Sequence, residues 1–290
     1  MTYELAIGDR SYSSWSLRGW LLFAAFDLPV KTRTARMYSQ GFHDLLADFA
    51  PARLVPAMKT PAGDIVYDTL AMAETLAEAH PDIAFWPKDP AARALARSIT
   101  AEMHAGFGAL RDACTMVLNC SFEGFEPSAV VLSDLARIDA LWTIAHDKFG
   151  NSGPWLFGEW SIADVFYAPV ATRIATFDLP VGNLAQSYVR AHLANPHFRR
   201  WRAMGAAENY QQPGYHPDLP TRLWPGPAPI SASPVKAGTP ENALCPYSQL
   251  PVTDFMAIES RVFGFCNPWC RDKTVADPMA WPEFVKIYQK

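Results

Sequence analysis

No run of about 18 apolar residues is present to span a bilayer. No basic excess exists either: 25 Lys and Arg stand against 29 Asp and Glu, a formal charge of -4. The first absence argues against a membrane protein, the second against a nucleic-acid or anionic-membrane partner. The first residues lack a basic start, an apolar core and a cleavage site, so no secretory signal is expected and the expected location is the cytoplasm. Cysteine is scarce, at five residues in 290, too few for a disulfide-built scaffold. Cys114 and Cys120 read as apolar filler of a long helix, six residues apart and on different faces. What is plentiful is apolar content, 50% of the chain, enough to bury the cores of two or three domains.

Tyr3 to Ile7 reads as a short strand and Leu17 to Phe26 as an apolar helix. Between them Ser13, Ser14 and Ser16 sit where the helix should start. Hydroxyls there can cap free backbone N–H groups, and the same N–H groups can hold an anion or a thiolate. Next come a strand at Val30 to Arg36, a short helix at Phe42 to Phe49, strands at Ala57 to Thr60 and Ile65 to Tyr67 around the Pro61–Asp64 turn, and a helix at Thr69 to Ala79. That order is thioredoxin-like.

Ser13-Ser14-Trp15-Ser16-Leu17-Arg18 resembles the active-site turn of serine-type glutathione transferases, the zeta-like class above all. The family pattern is Ser-Ser-Cys-Ser-x-Arg, and Trp15 stands in place of its cysteine. The resemblance covers about residues 1–208 and implies an α+β chain: a thioredoxin-like domain at 1–82, then an all-helical domain at 88–208. It implies Ser13 as the group holding the glutathione thiolate, with Ser14 beside it. It implies a cis Val55–Pro56 bond, with the Val55 backbone meeting the cysteinyl part of glutathione. Asp68 would meet the α-amino group and Thr69 the α-carboxylate.

In the helical region, Pro90 to Val117 reads as one long helix and Ala129 to Phe149 as another, ended by Asn151-Ser152-Gly153-Pro154. Ser161 and Asp164 have capping-box spacing before an apolar helix from Val165 to Ile174, which makes Asp164 a folding residue. Arg199, Arg200 and Arg202 read as a solvated face. Tyr12, Trp15, Met103 and Phe107 are candidates for the apolar wall of a second-substrate pocket.

Ten prolines fall between Pro213 and Pro251, so 209–242 reads as a proline-rich linker without helix. Then Cys245, Cys266 and Cys270 crowd into a small last module, 243–290. Three thiols in so small a core suggest soft-metal ligands. The pattern is similar to treble-clef-like YHS/TRASH metal-binding modules, with Asn267 where a further cysteine is frequent. Zinc is the expected ion; His216, Asp254, Asp272 or a water are candidates for its fourth ligand.

The expected activity is conjugation of glutathione, as co-substrate, to an electrophile. The alternatives are a glutathione-dependent cis-trans isomerase, weakened by Trp15, and a non-catalytic glutathione- or metal-binding protein. Family layout implies a homodimer.

Overall fold

The computed structural model describes residues 2–150 and 153–290. Asn151 and Ser152, part of the expected stop after the long helix, lie outside the described residues. The chain divides into two compact units, residues 1–193 with 212–224, and 194–211 with 225–290.

The first unit opens with β1 (Tyr3–Ile7), α1 (Ser14–Ala24), β2 (Val30–Thr34), α2 (Gln40–Ala47), β3 (Ala57–Lys59), β4 (Ile65–Tyr67) and α3 (Thr69–Ala79). The sheet runs β2-β1-β3-β4. β1 pairs with β2 in parallel, from Tyr3 opposite Val30 to Ile7 opposite Thr34. β3 then pairs antiparallel with β1, placing Leu5 opposite Met58. This is the thioredoxin-like domain. Leu5, Ala6 and Ile7 are fully buried, and α2 closes one face through Phe42, Leu45, Leu46 and Phe49. Gly19 on α1 permits a close approach to the start of β3: a Cβ there would lie 2.7 Å from Pro56 Cγ.

The helices that follow are α4 (Pro90–Ala105), α5 (Gly108–Ala113), α6 (Ala129–Phe149), α7 (Ile162–Phe177) and α8 (Asn183–Ala194). The single helix expected from Pro90 to Val117 is two. Gly106 lets the chain turn where a Cβ would meet the Glu102 carbonyl at 2.7 Å, and Phe107 follows in the left-handed region at φ 57°. α7 is almost wholly buried and packs against both α1 and α4. Its start is the capping box read from sequence. Asp164 Oδ2 accepts from Ser161 N at 2.9 Å, and Oδ1 accepts from Tyr188 Oη at 2.8 Å. Burial pushes its carboxyl up to about 6, against the pull of these donors. β5 (Ser121–Phe122) pairs with β6 (Thr221–Arg222), so the irregular segment 212–224 returns to the stretch that follows α5.

The second unit contains α9 (Pro196–Ala207), the sheet β7-β8-β9 (Ala232–Val235, Asp254–Ile258, Arg261–Phe265), α10 (Pro268–Ala276) and α11 (Pro282–Tyr288). The β8–β9 hairpin leading into α10 is the treble-clef-like arrangement. Met256, Ile258, Phe263, Phe265, Trp281 and Phe284 form its core. Arg199 is not on a solvated face: its Nε and Nη2 donate to the buried Asp277 carboxylate at 2.8 and 2.7 Å. Burial also pulls the Arg202 guanidinium down to about 10. No helix among the described residues is long and apolar enough to cross a membrane.

Candidate active site and cysteine cluster

Within the first unit, a cleft of about 990 Å³ opens at the start of α1, and Ser13, Ser14, Trp15, Val55, Pro56, Asp68, Arg111, Arg173 and Tyr215 are among the residues lining it. Local structure places the first of these. Ser13 is the cap of α1, accepting from Ser16 N at 3.3 Å. Its hydroxyl also donates to Ser16 Oγ at 2.7 Å, and Ser16 Oγ accepts from Gly8 N at 3.0 Å. A hydroxyl rotates to suit its partners. The Ser13 proton can therefore turn from Ser16 Oγ toward an anion bound in the cleft. The first N–H groups of α1 have no intrahelical carbonyl to use, and the helix end favours negative charge. The corner therefore suits a thiolate sulfur.

The Val55–Pro56 bond is cis, and both residues line the cleft just before β3. Asp68 also lines it, with φ at 82°. Its Oδ1 caps α3 by accepting from Leu70 N at 2.8 Å, and Oδ2 lies 2.9 Å from His104 Nε2. Thr69 is placed differently: it is fully buried and its hydroxyl has no partner. Of the expected apolar wall, Tyr12 and Trp15 reach the cleft, whereas Met103 and Phe107 belong to the core.

Four residues at this site were not anticipated. Ser16 supports Ser13, and its position three residues into the turn is a signal of that. His104 holds Asp68 from α4. Arg111 lies over the Trp15 ring, 5.4 Å from its centroid. Arg173 donates from Nε to the Cys114 carbonyl at 2.7 Å and from Nη1 to the Pro169 carbonyl at 3.1 Å. An arginine inside the apolar run of α7 was a readable anomaly. Residues 212–224 add Tyr215, whose ring meets Tyr12 edge-on at 5.5 Å, and His216, whose Nε2 is 3.3 Å from Tyr12 Oη.

Within the second unit, Cys245, Cys266 and Cys270 place their Sγ atoms within 4.8 Å of one another. Cys245 sits in a tight turn, with Cys245 N donating to Leu250 O at 2.8 Å. Cys266 follows β9, and Cys270 lies in the first turn of α10, which Asn267 caps. The Cys266–Cys270 sulfur separation is 3.9 Å. That is far beyond a disulfide bond and close to the roughly 3.8 Å edge of a tetrahedron with bonds of about 2.3 Å to zinc. Burial pushes the Cys245 thiol up, but donors from Ser248, Cys266 and Tyr247 outweigh it and bring it to about 7. The Cys270 thiol goes the other way, to about 12, because burial dominates. The donor set thus fits a soft metal. The expected fourth ligands are otherwise engaged. Asp254 and Asp272 both pair with Arg271, at 3.0 and 2.7 Å, and His216 stands at Tyr12 in the other unit.

Residues 12–79 match the family model described as "Glutathione S-transferase, N-terminal domain". A "Probable maleylacetoacetate isomerase" of Caenorhabditis elegans is 26% identical over 163 residues, 55% of this chain and 75% of that protein. Among solved structures, a glutathione transferase homolog from Burkholderia gl BGR1 with bound glutathione aligns with a TM-score of 0.55 at 20% identity, covering 71% of this chain and 99% of that one. Glutathione transferase Omega 3C from Trametes versicolor gives 0.53 at 20% identity, covering 70% and 88%. A thioredoxin-like sheet followed by an all-helical domain is therefore the glutathione transferase fold. Residues 12–79 thus match a glutathione S-transferase N-terminal domain, the first unit shares the glutathione transferase fold with the solved structures just named, and the second unit carries a cysteine cluster.

Proposed function

We propose that the protein is a glutathione S-transferase that conjugates glutathione to an electrophile, with Ser13 stabilising the thiolate. The observation that carries this reading is one cleft lined by Ser13 at a helix start, the cis Val55–Pro56 turn and Asp68. Glutathione lies along these groups. Its thiol meets Ser13, with Ser14 alongside, its cysteinyl backbone meets Val55, and its α-amino group meets Asp68. Hydrogen bonds from the Ser13 hydroxyl and the first N–H groups of α1 favour the thiolate over the thiol, and this outweighs the opposite effect of burial. The thiolate then attacks a co-substrate beside Trp15.

The test is Ser13→Ala. Turnover falls about 10- to 100-fold, while the KM for glutathione changes less, because a donor to the charged form alone is lost. Unchanged turnover on an identified electrophile removes Ser13 from the role. The relative named for maleylacetoacetate isomerisation supports a second reading, a glutathione-dependent isomerase. Trp15, in place of the family cysteine, weighs against it.

The cysteine cluster holds one structural zinc ion through Cys245, Cys266 and Cys270, with water or a group from outside the cluster completing four ligands. Bound zinc supplies a rigid staple between the turn, the hairpin and α10. Three free thiols and a zinc suit the reducing cytoplasm. The working assembly is a homodimer.

A further inference from the structure

Three arginines crowd one end of the cleft without acidic partners. Arg111 and Arg173 line it. Arg18 lies beneath, 1% exposed, with Nε and Nη1 unpartnered. The Trp15 ring is shared, its centroid 5.1 Å from the Arg18 guanidinium carbon and 5.4 Å from that of Arg111. None of the three has a carboxylate within 4.0 Å among the described residues. Asp112 lines the cleft without pairing to them, and Asp68 is engaged by His104. Burial lowers Arg18 to about 9, Arg173 and Arg111 push it the same way, and the more distant Asp68 carboxylate only partly opposes them. It remains charged at neutral pH. So concentrated a positive charge, half desolvated, is costly unless an anion offsets it.

Arg173 cannot simply turn away. Carbonyls of Cys114 and Pro169 hold its Nε and Nη1, leaving Nη2 without a protein partner among the described residues. Arg111 gives only Nη1, to the His104 carbonyl at 3.4 Å. A planar group against Trp15 would bring a terminal carboxylate within reach of both guanidiniums, which suit carboxylate geometry.

We propose that Trp15, Arg111 and Arg173 form the co-substrate subsite, and that it selects planar electrophiles bearing a carboxylate, held between the two guanidiniums with the apolar body on the indole. This rests on the reading of the cleft as a glutathione-dependent site, whose co-substrate class it names.

The test is calorimetric titration of the full chain, with and without glutathione, using two unreactive probes of one shape: 3,5-dinitrobenzoate and 3,5-dinitrobenzamide. The benzoate binds at least about tenfold more tightly, and rising salt erodes that preference. Arg111→Gln lowers benzoate affinity about tenfold and amide affinity less than about twofold, whereas Arg111→Lys, which keeps the charge, retains a preference for the benzoate. Equal affinities in the wild type, no binding of either probe, or an equal loss of both in Arg111→Gln overturns the subsite. Glutathione affinity is read in the same samples. If it is absent while the benzoate preference holds, the glutathione reading fails and the anion subsite stands.

Discussion

At the scale of single residues, the thiolate corner depends on a side chain that never reaches the cleft. Ser16 is fully buried, accepts from Gly8 N and pairs with Ser13 Oγ. It is a positioning residue, accepting from Ser13 Oγ and fixing where that hydroxyl sits beside the cleft. Ser16→Ala therefore lowers turnover about tenfold through kcat, and Ser16→Thr, which retains the hydroxyl, restores most of it; steady-state kinetics on the three proteins checks this. Equal loss in both variants would indicate a packing role only. Asp164 acts on folding. Asp164→Ala removes acceptors for Ser161 N, Leu156 N and the Tyr188 hydroxyl and costs roughly 2–4 kcal/mol, read as a lower urea midpoint. The pH dependence has a definite sign. The folded carboxyl sits at about 6, above the ordinary 3.8, so the folded state holds the proton more tightly between those values. The stability of wild type relative to Asp164→Asn is then greatest below about pH 4 and declines as pH rises through 6. A difference that stays flat or grows over that window contradicts the assignment.

At the scale of elements, legibility followed periodicity. The helices of residues 3–79 were readable from their period and the three-residue strands β3 and β4 from the Pro61–Asp64 turn between them, and Ile65–Tyr67 and Thr69–Ala79 fall where expected. The break between α4 and α5 was hidden, since Gly106 within an alanine-rich run looks like a tolerated glycine. β5 and β6 have two residues each and show no period at all. β7 contains Pro234, which reads as linker, yet β7 is an edge strand of its sheet, where a missing N–H is tolerated. Arg199 was misjudged because Asp277 is 78 residues distant in the chain. The three serines, the Val-Pro pair and the cysteines were visible as residue types; the arginines meeting at Trp15 from α1 and α5, with Arg173 of α7 lining the same cleft, required the packing. For the hairpin–α10 element, elemental analysis of the full chain should return about one zinc per chain and much less in Cys266→Ser, with the variant's second unit losing protection from proteolysis. A metal content below about 0.2 per chain in a folded wild type would leave the cysteines a packing role.

At the scale of the whole molecule, the chain joins a transferase-fold unit to a second unit built around three thiols. A homodimer is expected; light scattering at micromolar concentration should give about twice the 32.2 kDa chain mass, and a monomer mass rejects it. The central claim is that the cleft holds glutathione as its thiolate. The most direct measurement is the ultraviolet thiolate band of bound glutathione, titrated against pH on wild type and Ser13→Ala under saturating protein. The account predicts a bound thiol at least about one unit below the ordinary value near 8.5, with most of that shift lost in Ser13→Ala. A bound thiol that titrates as it does in free glutathione, or a shift unaltered in Ser13→Ala, contradicts it.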